Sequence, residues 1–557
     1  MATDVSSRGP TTGPADTTAA ATTTRSPTGV WWRAYRHHLR LLRNTAIAWI
    51  VAFAGLGAGV VATFEDRMPT EAARAAADAT EGVPAFEALL GRFVRPGSLE
   101  GFVLSRWTGM FAIVVAVWGM LAATKLLRGA EEAGHTEPLR AGALSPRGLL
   151  GSAVAAMLTW FALFTVAVGA THSAAGMDVA TSWALGGAMG LLAATFAAVG
   201  TLASQVAATQ RRATQLAGAV LAAALAVRVL AAATTTPDWV WWATPFGWIG
   251  FLHEIDQART AVFAAFAVLL VLLFAAVFGL SRRDLHAGLV GGTEPAATQV
   301  RPVGGQLGLT ARTTGAAVAG WAAVLAAAAF VFTVLADDFL AVFADMDAEA
   351  AAIYEQMGYV ALDTPEGYVA IVLGLFFVIG VALFSAAQAA AIREEEASWR
   401  IEHLLARPVG RVRWLVTRIL AAAIGVVLLG VVVGVVVWAA TTLGGAALAF
   451  GDALLAGVNL MPAALLFLGL GILVFGLIPR LTAPLAFGLV IAAYLLDFVG
   501  PLLELPDALL DVSPFRHLAA VPASDLDVIA ALTMLGIGAL AALIGIAAFR
   551  NRDLKEA

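Results

Sequence analysis

Residues 393–415 read R-E-E-E-A-S-W-R-I-E-H-L-L-A-R-P-V-G-R-V-R-W-L and form a charged segment between two long apolar stretches. No residue from Arg393 to Arg407 breaks a helix, whereas Pro408 ends one. Charged side chains recur at three- and four-residue steps and share one face, and apolar side chains occupy another. The segment therefore predicts an amphipathic helix, which is either a solvated helix at a membrane surface or a helix that docks into another protein.

The composition places this segment in a membrane protein. Of the 557 residues, 60% are hydrophobic and 13% are charged, whereas about a quarter of the residues are charged in an average soluble domain. The absence of cysteine excludes disulfides and thiolate metal ligands. The only lysines, Lys125 and Lys555, do not follow a glycine, so the chain has no phosphate-binding G-x-x-x-x-G-K-[ST] motif of its own.

The apolar stretches predict an all-α polytopic membrane protein with twelve transmembrane helices of about 20 residues each. They are predicted near Thr45–Phe64, Phe102–Ala123, Gly148–Ala170, Val179–Leu202, Thr214–Ala233 and Thr260–Leu280 in the first half, and near Gly315–Leu335, Gly367–Ala391, Trp414–Trp438, Leu455–Leu477, Ala483–Val499 and Val528–Phe549 in the second.

The remaining segments complete the predicted domain organisation. Residues 1–29 are rich in small and polar residues and are predicted to be disordered. Residues 30–44 place four arginines on one helix face, which predicts an amphipathic helix in the membrane interface or a basic flank of the first span. A first six-span repeat covers 45–290, a cytoplasmic linker covers 291–312, and a second six-span repeat covers 313–557.

The distribution of basic residues predicts the orientation. One set of loops carries most of the arginines between spans, and it includes the 393–415 segment. The loop Asp337–Glu366 on the opposite side has eight acidic residues and no Lys or Arg. Because basic loops face the cytoplasm, these loops and both termini are predicted to be cytoplasmic.

Short motifs show that the two halves are copies. A Pro-Phe motif precedes the last span of each half, at 244–246 (T-P-F) and 513–515 (S-P-F). An R-D-L motif follows each last span, at 283–285 and 552–554, and the two kinds of motif recur at one and the same spacing. Since both halves have six spans, the repeats insert with the same topology, and we expect a pseudo-twofold axis along the membrane normal.

The charged segment is repeated as well, again at one constant spacing. The matching positions are Arg128, Glu131, Glu137, Leu139 and Leu150 in the first copy and Arg393, Glu396, Glu402, Leu404 and Leu415 in the second. In the first copy Gly134, Pro138 and Gly142 interrupt the helical pattern. The first helix is therefore predicted to be shorter and to break at or before Glu137.

On the charged segment, the six-plus-six layout and the Pro-Phe motifs, the chain resembles the type-2 permeases of ATP-binding-cassette exporters. It resembles in particular the multidrug and polyketide-antibiotic exporter permeases of actinobacteria, from about Trp31 to the C-terminus. In that family the loop between spans two and three forms a coupling helix that sits in a groove of a separate ATPase subunit. The resemblance implies that the ATPase contacts are Glu131, Glu137, Arg393, Glu394, Glu395, Glu396, Arg400 and Glu402.

The same resemblance implies the partners and the location. Two six-span units in one chain imply that a single copy supplies the whole membrane part and binds two copies of a P-loop ATPase. Those subunits would hold ATP and Mg, so no cofactor, metal or catalytic residue is expected in this chain. A bacterial plasma membrane location, a hydrophobic drug or polyketide-type substrate, and no nucleic-acid partner are expected.

Duplicated aromatic residues are the candidates for the substrate path. Phe111 and Trp118 match Phe377 and Phe384 at a common spacing, and residues seven apart share one helix face. Rings that face a central axis would suit a flat, hydrophobic, cationic ligand. Packing against neighbouring spans or lipid is the alternative, and the pattern favours it. The polar candidates near the cytoplasmic end of the same span are Ser385 and Gln388.

Two other classes of protein remain open. A proton-coupled secondary multidrug transporter also has twelve spans in two parallel repeats, but it needs a buried carboxylate, and none stands out in mid-membrane. A membrane scaffold or assembly factor would be expected to carry large soluble loops, and no loop here exceeds about forty residues. An ATP-driven exporter subunit is therefore the favoured interpretation.

Overall fold

The structure is a computed structural model, described here for residues 27–83, 87, 90–134, 136, 145–232, 237–253, 257–280, 305–334, 336, 340, 364–397, 410–444, 448–500 and 505–552. All regular structure in these residues is helical, and twelve helices are long and apolar enough to cross a membrane. They are α1 (Thr28–Ala62), α2 (Phe111–Glu132), α3 (Pro146–Ala174), α4 (Val179–Val206), α5 (Gln210–Ala231), α6 (Arg259–Leu280), α7 (Thr310–Thr333), α8 (Pro365–Ala397), α9 (Arg411–Leu443), α10 (Phe450–Leu477), α11 (Pro479–Asp497) and α12 (Val528–Asn551). The all-α polytopic fold with twelve spans is confirmed.

Shorter helices join these spans. In the first half they are Phe64–Arg67, Glu71–Asp78, Leu99–Val103, Asp238–Ala243, Pro245–Gly250 and Phe251–His253, and in the second half Asp507–Leu510 and Pro514–His517. Within α10, the helices Phe450–Asn459 and Met461–Leu477 follow one another directly.

The first helix differs from the prediction at its N-terminal end. The sequence predicted disorder through residue 29 and a separate interfacial helix at 30–44, but one continuous helix covers Pro27–Ala62. No glycine or proline interrupts the sequence where the basic segment meets the span, so the helix continues. Its 36 residues extend about 54 Å, well beyond the roughly 30 Å of a bilayer's hydrocarbon core. The basic segment is therefore the first part of the span's own helix.

Polar contacts hold this N-terminal part of α1 against α3. The hydroxyl oxygens of Tyr35 and Thr159 lie 2.9 Å apart. The indole nitrogen of Trp160 donates to the Leu39 carbonyl oxygen at 3.2 Å. The arginines of the basic segment point away from this contact and are exposed: Arg33, Arg36, Arg40 and Arg43.

The Pro-Phe motifs make corresponding contacts in the two halves, although the first begins an α-helix and the second a 3₁₀ helix. The Thr244 hydroxyl donates to the Ala224 carbonyl oxygen at 2.8 Å, and the Ser513 hydroxyl donates to the Ala493 carbonyl oxygen at 2.9 Å. In each motif the proline occupies the first turn of a short helix, and the phenylalanine that follows it is buried. The sequence repeat therefore corresponds to a repeated structure.

The segments that lead into α2 and α8 are also alike. The hydroxyls of Ser98 and Thr364 cap the helices that follow them, each accepting from a glycine N–H at 3.1 Å. A π-helical turn comes next in both halves, at Leu104–Thr108 and at Leu373–Phe377. Such turns occur frequently at functional sites. The second span of each half is thus irregular at corresponding places.

The chain divides into two compact units. The first contains the described residues within 1–63, 111–223 and 254–292, where α3 packs on α1 and α4, and α4 on α6. The second contains those within 64–110, 224–253 and 293–557, where α9 packs on α7, and α10 on α8 and α12. The backbones of α10 and α12 approach each other closely, because the Gly538 carbonyl leaves no room for a Cβ at Gly469.

Candidate coupling site

The end of α2 is held by a buried arginine. The Arg128 side chain is 1% exposed, and its Nη1 donates to Glu131 Oε2 at 2.7 Å. Its Nη2 donates to the Ala207 carbonyl oxygen, directly after α4. Glu131 is also buried. The first of the predicted ATPase contacts is therefore engaged inside this chain.

The first of the two candidate coupling helices ends where the sequence predicts. Its last helical residue is Glu132, and the Gly134 N–H donates to the Glu131 carbonyl oxygen at 3.1 Å. Gly134 has φ +72°, a left-handed conformation that favours glycine at a helix C-terminus. The break before Glu137 is confirmed, and Glu137 itself lies outside the described residues.

The end of α8 has the corresponding ion pair and an additional one. Glu396 Oε2 accepts from Arg393 Nη1 at 2.9 Å, and Oε1 accepts from Arg552 Nη2 at 2.8 Å. The Glu396 side chain is only 4% exposed. The neighbouring Glu395 forms an ion pair with Arg418 of α9. We call the charged end of α8, residues 393–397, the second coupling segment, and the matching end of α2, residues 128–132, the first. The Glu395 and Glu396 carboxylates attach the second coupling segment to α9 and to the end of α12.

The same Arg–Glu pair, three residues apart, thus occurs at the ends of α2 and α8. The pairs Arg128–Glu131 and Arg393–Glu396 occupy matching positions of the sequence repeat. Their burial favours a role in holding the coupling segments, and direct ATPase contact by Glu131 and Glu396 stays a prediction. Glu394 is exposed, and Arg400 and Glu402 lie outside the described residues.

An apolar cluster packs against the ion pairs of Glu395 and Glu396, and we call these ion pairs and the cluster together the second network. The Arg552 guanidinium lies 5.3 Å from the centre of the Phe475 ring and 5.4 Å from that of Phe549. Trp414 packs beside Phe549, with ring centres 5.9 Å apart, and the fully buried Leu415 belongs to the same cluster. The sequence identified Arg552 only as part of a repeated motif. The sequence did not predict the ion pair between Arg552 and Glu396, because the two residues are 156 positions apart in the chain.

The first-half path candidates pack within an aromatic cluster. Phe111 contacts Phe53, with ring centres 5.1 Å apart, and Phe53 in turn contacts Phe164 at 5.4 Å. Trp118 contacts Phe161 at 5.0 Å and is buried. These edge-on contacts between α1, α2 and α3 are typical of core packing.

The second-half candidates are buried in the same way. Phe377 and Phe384 contact the rings of Phe332 and Trp321 of α7, at 5.8 Å and 6.2 Å. The contacts support the packing alternative for all four rings, and a substrate-path role stays a prediction. Ser385 is fully buried, and its hydroxyl has no hydrogen-bond partner in the described part of the chain. Gln388, one turn further along α8, is buried too.

Comparison with known proteins identifies the family. The family model described as "Multidrug efflux system permease Rv1217c, C-terminal domain" matches residues 26–280 and 303–550, one stretch in each half. The multidrug efflux system permease protein Rv1217c of Mycobacterium tuberculosis is 28% identical over 532 residues, which cover 93% of this chain and 94% of the relative. With its twelve candidate spans, the chain is a multi-pass membrane protein that belongs to this family of multidrug efflux permeases.

Proposed function

We propose that the chain is the membrane subunit of a type-2 ATP-binding-cassette exporter that is powered by a separate ATPase. The observation that carries this proposal is the duplicated charged helix end after the second span of each half. Membership of a multidrug efflux permease family supports export as the direction of transport. Hydrophobic drugs or polyketide-type antibiotics are the proposed substrates.

The duplication sets the proposed stoichiometry. Each six-span half carries one coupling segment, so one chain would bind two ATPase subunits, which hold ATP and Mg. The basic loops and both termini would face the cytoplasm of a bacterial cell, where these subunits meet the membrane. Binding and hydrolysis of ATP would move the coupling segments, and their ion pairs would transmit this movement to the spans. The substrate path would then open alternately to the inside and to the outside of the cell.

A proton-coupled transporter is the second candidate, and the buried carboxylates argue against it. A proton relay in a membrane protein is built on a buried carboxylate that gains and loses a proton. Among the described residues, the buried carboxylates are Glu131 and Glu396. Both lie at helix ends and form ion pairs with Arg128 and Arg393, which already neutralise them.

Purified protein tests whether ATP hydrolysis requires a separate ATPase subunit. The chain alone is expected to hydrolyse no ATP, because it has no P-loop lysine. Hydrolysis is expected when the chain is co-expressed with a P-loop ATPase encoded beside it, and the two should co-purify at two ATPase subunits per chain. The matched control is the same complex with the ATPase's P-loop lysine replaced. Robust hydrolysis by preparations without the partner would overturn the proposal.

A further inference from the structure

Within the described residues, the two coupling segments contact different spans. In the first half, Arg128 binds the Ala207 carbonyl oxygen at the end of α4. Glu132 Oε1 accepts from the Gln210 N–H at 2.7 Å, at the start of α5. Both hydrogen bonds are made to the short turn at 207–210. The first segment is therefore attached to the connection between the fourth and fifth spans.

In the second half the attachment is to the last span. Glu396 binds Arg552, which directly follows α12. Arg411, the first residue of α9, donates from Nη1 to the Arg552 carbonyl oxygen at 3.3 Å. Glu395 reaches further along α9 to Arg418, which donates to the Thr313 hydroxyl of α7 at 2.9 Å. The ends of α8 and α12 and the start of α9 are thus joined through polar contacts.

The sequence shows that some residues of each set of contacts have no counterpart in the other half. In the register that aligns the two charged segments, Ala397 stands at the position of Glu132, so the carboxylate that holds the turn 207–210 in the first half has no counterpart in the second. Conversely, Ala153 stands at the position of Arg418 in that register. In the register that aligns the two R-D-L motifs, Leu280 stands at the position of Phe549. The first half therefore lacks one arginine and one ring of the second network.

We propose that Glu396 and Arg552 form a permanent link that passes movement of the second coupling segment to α12, whereas the first segment acts on the turn between α4 and α5. This inference rests on the proposed function, because it needs an energy-supplying partner at the coupling segments. It assigns a positioning role to Arg552, and it makes the two coupling routes mechanically different.

Burial explains why the link stays closed. The Glu396 carboxylate is buried between two arginines, and separating it from Arg552 would leave one of its oxygens and the largely buried Arg552 guanidinium without this ion pair. The Arg552 guanidinium also stacks over two buried rings, which hold it in place as the segment moves. Movement of the joined helices as one body costs less than opening the pair.

A cysteine pair tests the link, since the chain has no other thiols. The variant carries Glu396→Cys and Arg552→Cys and is reconstituted in vesicles with the ATPase partner. With free thiols, export per ATP hydrolysed is expected to fall about fivefold or more, the lower range of measured coupling effects. Joining the thiols with a bifunctional reagent of ion-pair length is expected to restore it.

Matched variants serve as controls. Each single-cysteine variant treated with the same reagent should stay uncoupled. Arg550→Gln should keep wild-type coupling, because Arg550 is exposed on the same turn of α12. Gel filtration and the yield of cross-linked product show whether the double variant is folded and whether the two positions are adjacent.

Two results would overturn the inference. Wild-type coupling with free thiols would show that the pair transmits nothing, and a bridged protein that cannot export would show that the contact opens during the cycle. Failure of the proposed function looks different, because wild-type export would then proceed without the ATPase and stop when the proton gradient is collapsed.

Discussion

Replacing Arg128 by alanine is expected to lower the free energy of unfolding by about 3–5 kcal/mol, the typical cost of breaking a buried ion pair by removing one partner. Arg128 is almost fully buried, so its loss removes the cation beside the buried Glu131 carboxylate and leaves the Ala207 carbonyl oxygen without this donor. The measurement is equilibrium unfolding in mixed detergent micelles, followed by tryptophan fluorescence.

The matched control for this substitution is Arg211→Ala. Arg211 lies in the first turn of α5 and is exposed, so its removal is expected to change the free energy of unfolding by at most about 0.5 kcal/mol. Equal losses at the two positions would contradict the assignment of Arg128 as the residue that holds the end of α2.

Charge reversal at Glu402 is expected to reduce ATP-coupled export more than the same change at Glu137, by about fivefold or more. The reason is the predicted continuity of the second coupling helix, because the sequence has no glycine or proline from Arg393 to Arg407. In the first segment a glycine and a proline cost roughly 1 and 3 kcal/mol, more than surface charge pairs of roughly 0.2–0.5 kcal/mol can recover. A continuous helix would hold its carboxylates in one fixed arrangement for binding in the groove of the ATPase subunit.

Glu402→Arg and Glu137→Arg are compared at equal protein abundance in the membrane fraction, which shows that insertion is unaffected. The structure already ends the first helix at Glu132, before Glu137 is reached. An equal loss of export with both substitutions would contradict the prediction that the two coupling helices bind their ATPase subunits unequally.

The span pattern predicted the fold because each span is a local property of about 20 apolar residues. The boundary of α1 was wrong for a related reason. Residues 30–44 and the span after them share helical periodicity, and amphipathicity alone does not distinguish a helix in the interface from the extension of a crossing helix. The polar contacts of Tyr35 and Trp160 between α1 and α3, two helices that are distant in the chain, settle the geometry.

The site could be predicted only where its signal is local. The three-residue spacing of Arg128 and Glu131, repeated at Arg393 and Glu396, is visible in the sequence, and it predicted charged helix ends. The pattern does not show which side chains are buried, because burial of Glu396 depends on Arg552 at the far end of the chain. The ring contacts of Phe384 likewise depend on a different span.

Export from sealed vesicles tests the central claim most directly. Inside-out vesicles that contain the chain and its ATPase partner are given a hydrophobic cationic dye, with ATP present and the proton gradient collapsed by an ionophore. The proposed function predicts that dye accumulates in the vesicles under these conditions and that accumulation stops when the ATPase's P-loop lysine is replaced. Accumulation driven by an imposed proton gradient, without ATP and without the ATPase, would contradict it.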